Sequence, residues 1–110
     1  MPKGIMVVQS QPSDPSREDE YNEWYGGTHL AEVCAVPGFV GARRYKVHGG
    51  PAGGSGGPSH AYVAIYEIEA DDLAAPMAEL RARSASGQMQ MSDAMQLDPP
   101  PVVTIYELVE

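Results

Sequence analysis

The side chains best suited to chemistry lie in and just before one short segment, NEWYGGTHLAEV at positions 22–33. Tyr21, Tyr25 and His29 are four residues apart, so they share one face if the segment is helical. That face would carry two phenols and an imidazole, whose ordinary pKa of about 6.5 suits acid–base catalysis near neutral pH. Trp24 lies beside it. A core histidine bonded to a carbonyl would have the same spacing, so the pattern leaves both interpretations open.

Gly26 and Gly27 interrupt this segment shortly before His29. Each glycine inside a helix costs about 1 kcal/mol relative to alanine, so helix propensity does not explain the pair. A kink, a close approach by another backbone, or space for a ligand beside His29 would explain it. We expect the last of these, with the glycines making room in a pocket under the first helix.

Two helices and four strands are predicted around this segment. Val, Ile, Tyr and Phe are frequent at 4–8, 39–47, 60–68 and 102–109, which predicts four strands. The spacing of apolar residues predicts helices between Ser16 and Pro37 and over 71–85, the first beginning with a Ser16–Asp19 capping box. The order β-α-β-β-α-β is that of the ferredoxin-like fold, a four-stranded antiparallel sheet with both helices on one face. The predicted class is therefore α+β, in a single domain over 1–110.

The predicted sheet is apolar on both faces. In the fourth strand Val103 and Ile105 alternate with Val102 and Tyr106, and the third strand shows the same pattern. Two helices cover one face, so the other apolar face is expected to be buried by another chain. This pattern predicts a homodimer formed through the open sheet face. A monomer with exposed Val and Tyr side chains is the alternative.

Charge and composition narrow the class of partner. Seven basic and fifteen acidic residues give a net charge of −8, which repels nucleic acids and anionic membranes. No apolar run reaches the roughly 20 residues of a membrane-spanning helix, and MPKGIMVVQSQP is unlike a signal peptide. A cytoplasmic protein is therefore expected. The single cysteine, Cys34, forms no internal disulfide and no cysteine cluster for a metal.

Two further segments are unusual in composition. HGGPAGGSGGPS at 48–59 lacks the Lys-Ser/Thr of a phosphate-binding loop and predicts a flexible connection, or a lid over a pocket. QMQMSDAMQL at 88–97 predicts a short packed helix rather than a methionine metal site, because methionine adapts to irregular apolar gaps.

The segment EDEYNEWYGGTHLAEVCAVPGFVGARRYKV, at 18–47, resembles the first-helix and second-strand region of the EthD-like branch of the dimeric α/β-barrel superfamily. The shared motifs are Tyr/Phe-Asn-x-Trp-Tyr, a following His, Pro-Gly-Phe and Ala-x-Arg-Tyr. The resemblance implies a ferredoxin-like subunit, a homodimer whose sheets form a barrel, and a pocket between each sheet and its helices. It matches the family histidine to His29, and the aromatic and basic positions around it to Trp24, Tyr25, Arg44 and Tyr45.

The resemblance leaves several activities open. The superfamily includes cofactor-free monooxygenases, muconolactone isomerases, polyketide cyclases and haem-degrading monooxygenases, and a shared fold does not choose among them. Gly26 and Gly27 stand where relatives often carry acidic or amide residues. A mechanism that needs a carboxylate partner for His29 at that point is therefore not expected.

The resulting prediction is a small enzyme without a cofactor or metal that acts by proton transfer, as an isomerase, cyclase or monooxygenase. Its substrate would be a small hydrophobic metabolite that is cyclic, aromatic or a lactone. His29 would be the acid and base, and Tyr25 and Tyr66 would donate hydrogen bonds to a developing enolate or phenolate. Arg44 would hold a substrate carboxylate. The predicted substrate-binding residues are Trp24, Tyr21, Arg44 and Tyr62.

Two other functions fit the same residues. One is a non-catalytic protein that sequesters a hydrophobic metabolite for a partner oxygenase. The other is a haem-dependent oxygenase with His29 as the axial ligand.

Overall fold

The computed structural model describes residues 3–47, 62–89, 92–97 and 100–109. Its strands are β1 (Lys3–Ser10), β2 (Phe39–Lys46), β3 (Tyr62–Glu69) and β4 (Val102–Glu107). They form one antiparallel sheet in the order β2-β3-β1-β4. The helices are α1 (Glu18–Trp24), α2 (Leu30–Cys34) and α3 (Ala74–Ala85), and a π-helical turn, Tyr25–His29, joins α1 to α2. The predicted ferredoxin-like α+β class is confirmed.

The first helical segment, residues 18–34, begins differently from the prediction. The Asp14 carboxylate accepts hydrogen bonds from the backbone N–H of Ser16 at 2.9 Å and from its hydroxyl at 2.7 Å. Asp14 thereby caps a short 3-10 turn, Pro15–Arg17, that leads into α1 without a side-chain cap on α1 itself. The predicted Ser16–Asp19 capping box is wrong, because the Ser16 side chain is bonded back to Asp14. The acidic first turn of α1 still favours the helix N-terminus electrostatically.

The core lies between the helices and one face of the sheet. On that face Met6 of β1 pairs with Tyr66 of β3, and Val8 pairs with Ala64; all four side chains are buried. Successive side chains in a strand point to opposite faces, so the residues adjacent to these four in sequence lie on the other face of the sheet. The helices complete the core with Tyr21, Trp24, Tyr25, Val33 and Met77.

The methionine-rich segment is not a helix in the part that the structure describes. Residues 92–97 run instead along the end of β1, with a bridge between Pro12 and Met95 and a 2.9 Å bond from the Gln96 N–H to the Gln11 carbonyl. Met89 and Met95 are buried in the core, as expected for side chains that fill irregular gaps. The predicted short helix is therefore wrong. Met91 and the glycine-rich connection at 48–59 lie outside the described residues.

Gly38 and Gly27 are expected to respond in opposite ways to alanine. Gly38 has φ +100°, and an added Cβ would lie 2.5 Å from Cγ of Pro76 in α3, so Gly38→Ala should lower the free energy of unfolding by more than about 1 kcal/mol. Gly27 is helical, and no atom of the described chain lies within 4 Å of an added Cβ. Gly27→Ala should therefore raise that free energy by about 0.5–1 kcal/mol. Urea unfolding of both variants measures the difference, and equal shifts would contradict it.

Candidate functional site

A cavity of about 640 Å³ lies between the helices and the β1–β4 half of the sheet. Val8 pairs with Val103 and Met6 with Ile105, so these four side chains form its floor. Because β4 is an edge strand, Val103 and Ile105 remain 51% and 37% exposed, and the cavity opens on that side. The remaining lining residues are Tyr25, His29, Val33, Tyr66, Met77, Leu80, Arg81, Ser84, Ala85, Met95 and Pro101.

Two tyrosine hydroxyls meet at the wall of this cavity. The hydroxyl of Tyr66, on β3, donates to the hydroxyl of Tyr25, in the π turn, at 3.2 Å. Both residues are buried, at 0% and 1% exposure. Burial raises the pKa of Tyr25 to about 12, and burial together with Tyr25 raises the pKa of Tyr66 further above its ordinary range. Both phenols therefore stay protonated at neutral pH and act as hydrogen-bond donors.

His29 lines the cavity beside these phenols. Its imidazole stacks on the Trp24 ring, with the centroids 4.7 Å apart and the planes at 22°, and contacts Tyr25 edge-on at 5.0 Å. Its Nδ1 atom is fully buried and has no hydrogen-bond partner in the described part of the chain. Burial lowers the pKa of His29, and the charge of Glu32 opposes this only in part. The imidazole is therefore neutral at neutral pH.

The π turn places Tyr25 and His29 at this wall. It carries the wide bond that defines a π-helix, from the Leu30 N–H to the Tyr25 carbonyl five residues earlier. Gly26 and Gly27 are exposed on its outer side, and neither lines the cavity. The expectation that these glycines make room beside His29 is therefore wrong, since the space next to His29 comes from α3 and the sheet.

Arg44 lies in a neighbouring cluster that shares Tyr25 with the cavity. The guanidinium carbon of Arg44 is 4.4 Å from the ring centroid of Tyr25, and about as close to the rings of Tyr21 and Tyr62, at 5.3 and 5.2 Å. One of its nitrogens donates to the Asn22 side-chain oxygen at 3.0 Å. Such stacking of a cation on aromatic faces stabilises the helix–sheet junction.

The remaining predicted site residues occupy distinct places. The structure brings His29, Tyr25 and Tyr66 together at the cavity, and Trp24 lies behind its wall in contact with His29 and Tyr25. Tyr21 is bonded to the buried Ser10 hydroxyl at 2.6 Å, and Tyr62 donates to the Glu18 carboxylate. Tyr21, Tyr62 and Arg44 are not among the residues that line the cavity.

The sequence analysis did not identify the wall that α3 contributes. Met77, Leu80, Arg81 and Ser84 line the cavity from this helix. Their spacing of three and four residues places them on one helical face, so the same rule that was applied to Tyr25 and His29 would have indicated them.

Comparison with known proteins supports the fold. No protein-family model matches the sequence, and no curated protein does so. A crystal structure of an EthD family protein from Bacillus halodurans C-125 is similar in fold, with a TM-score of 0.58 and 18% identity over 99% of this chain and 100% of that one. The chain has an EthD-like fold. This similarity confirms, for the fold, the resemblance found in the sequence. At 18% identity it does not show that the two proteins share an activity.

No group of three or more His, Cys, Asp or Glu side chains that could hold a metal ion occurs within residues 3–47, 62–89, 92–97 and 100–109. In the same ranges no helix has the length and apolar character needed to cross a bilayer.

Proposed function

We propose that this protein is a small enzyme, independent of cofactors, that transfers a proton on a cyclic or aromatic metabolite bound in the cavity. The observation that carries the proposal is the convergence of His29, Tyr25 and Tyr66 in a cavity lined mainly by apolar side chains. Its volume of about 640 Å³ lies in the range of small-molecule sites. Apolar walls also strengthen the electrostatic interactions of the few polar groups that they surround.

His29 is the proposed base. Because Nδ1 is enclosed, Nε2 is the ring nitrogen that remains for a ligand. A neutral imidazole can take a proton from carbon next to a carbonyl group, and the electron pair of the broken C–H bond then moves onto the carbonyl oxygen as an enolate. No carboxylate of the described residues is bonded to Nδ1 to stabilise the resulting imidazolium, so returning the proton to another atom of the ligand is favoured. In isomerisation and cyclisation the proton that is removed is returned to the ligand, so neither reaction has a net gain or loss of protons.

Tyr25 is the proposed donor to the enolate oxygen. Its own hydroxyl accepts a hydrogen bond from Tyr66, which leaves the Tyr25 proton free to be donated into the cavity. A phenol with a pKa of about 12 remains a donor throughout the working pH range. A positioned donor in a site shielded from water is worth about 3 kcal/mol of transition-state stabilisation.

A base in an apolar cavity can be tested before the natural substrate is known. The elimination of 5-nitrobenzisoxazole, a neutral aromatic compound that is opened by removal of one proton, reports such a base directly. We expect saturable acceleration by the purified protein above that of free imidazole at the same concentration. Absence of acceleration would contradict the enzyme proposal. Native mass spectrometry of the same sample would then show whether a small organic ligand remains bound.

A non-catalytic binding protein is the second candidate. The observation that favours it concerns the Nδ1 atom of His29, which finds no hydrogen-bond partner among the described residues, whereas such a partner usually orients a catalytic histidine. This candidate predicts a bound metabolite that stays chemically unchanged on prolonged incubation with the protein.

We also propose that the protein is a homodimer formed through the open face of the sheet. Ile5, Val7, Val63 and Ile65 lie at the centre of this face, as their pairing registers require, and none is fully buried within one chain. Tyr45 and Tyr106 extend the same apolar surface at 48% and 54% exposure. An apolar sheet face of this extent is typical of one that a second layer covers.

A further inference from the structure

We propose that Arg81 binds an anionic group of the cavity's ligand, so that the ligand is an apolar ring compound bearing a carboxylate. The inference rests on the proposed use of the cavity as a ligand site. It transfers to Arg81 the role that the sequence analysis assigned to Arg44, whose guanidinium is packed against three tyrosine rings outside the cavity lining.

The distribution of charge along the cavity wall supports this assignment. Among the residues that the structure describes, Arg81 is the one lining residue with a permanent charge, and no Asp or Glu of these residues lines the cavity with it. A carboxylate entering the cavity would therefore meet one cation and no anion. This is unexpected in a chain that has fifteen acidic and seven basic residues, in which Arg17, Lys46 and Arg83 each pair with a carboxylate.

Arg81 differs from the neighbouring arginine in its partners. Arg83 donates to the Glu79 carboxylate at 2.8 Å and to the Ala35 carbonyl at 3.4 Å, so it supports the helix and its junction with α2. Arg81 forms no ion pair with any side chain in the described ranges. Its planar guanidinium is thus available for the bidentate contact that carboxylates prefer.

The position of Arg81 fits a ligand that also reaches His29. Arg81 and Ser84 are three residues apart on α3, and Arg81 is exposed, so the cation lies where the cavity meets solvent. His29 and Tyr25 belong to a different wall, formed by the first helical segment. A ring compound whose carboxylate lies at Arg81 would therefore extend its apolar part across the cavity towards these two side chains.

Displacement of a fluorescent reporter tests the assignment. N-phenyl-1-naphthylamine, which is neutral and apolar, would occupy the cavity and be displaced by 2-naphthoate or by its neutral analogue 2-naphthamide. We expect the wild-type protein to bind the carboxylate about fivefold or more tightly than the amide at low ionic strength. This is the size of effect expected from a partly exposed ion pair between the carboxylate and Arg81. Arg81→Gln should abolish this preference without weakening the binding of the amide, and Arg83→Gln, the matched control, should retain it.

Two further variants establish where the reporter binds. Ile105→Trp fills the cavity from β4 and should weaken reporter binding, whereas Tyr106→Trp, on the opposite face of the same strand, should not.

Three results would overturn the inference. If Arg81 is purely structural, its substitution would lower the melting temperature and leave the preference for the carboxylate intact. Loss of the preference in Arg44→Gln alone, or no displacement by either compound, would also overturn it. Carboxylate preference without catalysis would instead refute only the enzyme proposal.

Discussion

Replacing His29 with alanine is expected to reduce the acceleration of 5-nitrobenzisoxazole elimination by about 100-fold or more, the usual contribution of a general base. The variant removes the imidazole of His29 from the cavity wall, while Tyr25 and Tyr66 keep their mutual hydrogen bond. The reporter affinity of the cavity should fall much less than the rate. Initial rates at saturating compound, measured beside reporter titration, separate the two effects.

The pH dependence of the same reaction follows from the lowered pKa of His29. The neutral imidazole is the active form, so the rate should rise with pH around a midpoint below the ordinary value of about 6.5. Above that midpoint the rate should be level, because the pKa of about 12 keeps Tyr25 protonated through the neutral and mildly alkaline range. A midpoint above 6.5 would mean that a different group, or a charged partner of His29, controls the reaction.

Thr28→Ala is the matched control for His29→Ala. Thr28 belongs to the same π turn, is half-buried, and does not line the cavity. A similar loss of rate in both variants would show that disturbance of the turn, and not the missing base, explains the effect.

Tyr25→Phe should lower the rate by a smaller factor than His29→Ala, since it removes a hydrogen-bond donor and keeps both the base and the aromatic ring.

Introducing a charge at Ile65 is expected to convert the proposed dimer into a monomer. Ile65 pairs with Val7 on one side and Arg43 on the other, so it lies at the centre of the open sheet face. In a two-fold symmetric interface, Ile65→Asp would bury two unpaired carboxylates, at a cost of several kcal/mol for each ion. Because about 1.4 kcal/mol is a tenfold change in affinity, the dissociation constant should rise by about 10³-fold or more.

Light scattering coupled to size-exclusion chromatography measures this change in mass. The wild-type protein should elute with twice the chain mass of 11.8 kDa, and Ile65→Asp with the mass of one chain. Ala78→Asp adds the same charge on the exposed side of α3 and should leave the dimer intact. A wild-type monomer would contradict the dimer directly and leave the apolar open face without an explanation.

Local patterns were sufficient to predict most of the elements. Segments rich in Val, Ile, Tyr and Phe indicated all four strands, and helical spacing indicated two helices, which correspond to residues 18–34 and to α3. The errors occurred where a competing contact decides, which is local at Ser16 and distant in sequence at residues 92–97. Ser16 was available as a cap for α1, yet its side chain is bonded to Asp14. Residues 92–97 belong to the methionine-rich segment that was expected to form a short packed helix, yet they pair with residues 11–13 next to β1.

In the candidate site, too, local spacing determined some features and contacts distant in sequence determined the others. The four-residue spacing of Tyr25 and His29 was enough to place both on one face, because helical geometry is local. The contact of Tyr66 with Tyr25 required the pairing of β3 with the rest of the sheet, and the contribution of α3 required the packing of that helix across the cavity. A sequence contains no direct record of such distances, which is why Arg44 was named from the sequence and Arg81 was not, although only Arg81 is among the residues that line the cavity.

The sequence by itself determined the fold class, the apolar character of both sheet faces and the identity of the titratable residues, since these depend on periodicity and composition. Only the tertiary structure decided which of those residues share a cavity and which stabilise the junction beside it. Burial also decided their protonation, because desolvation, which lowers the pKa of His29 and raises those of Tyr25 and Tyr66, depends on all the surrounding elements. The candidate chemistry is therefore a property of the packed helices and sheet and not of the segment that carries His29.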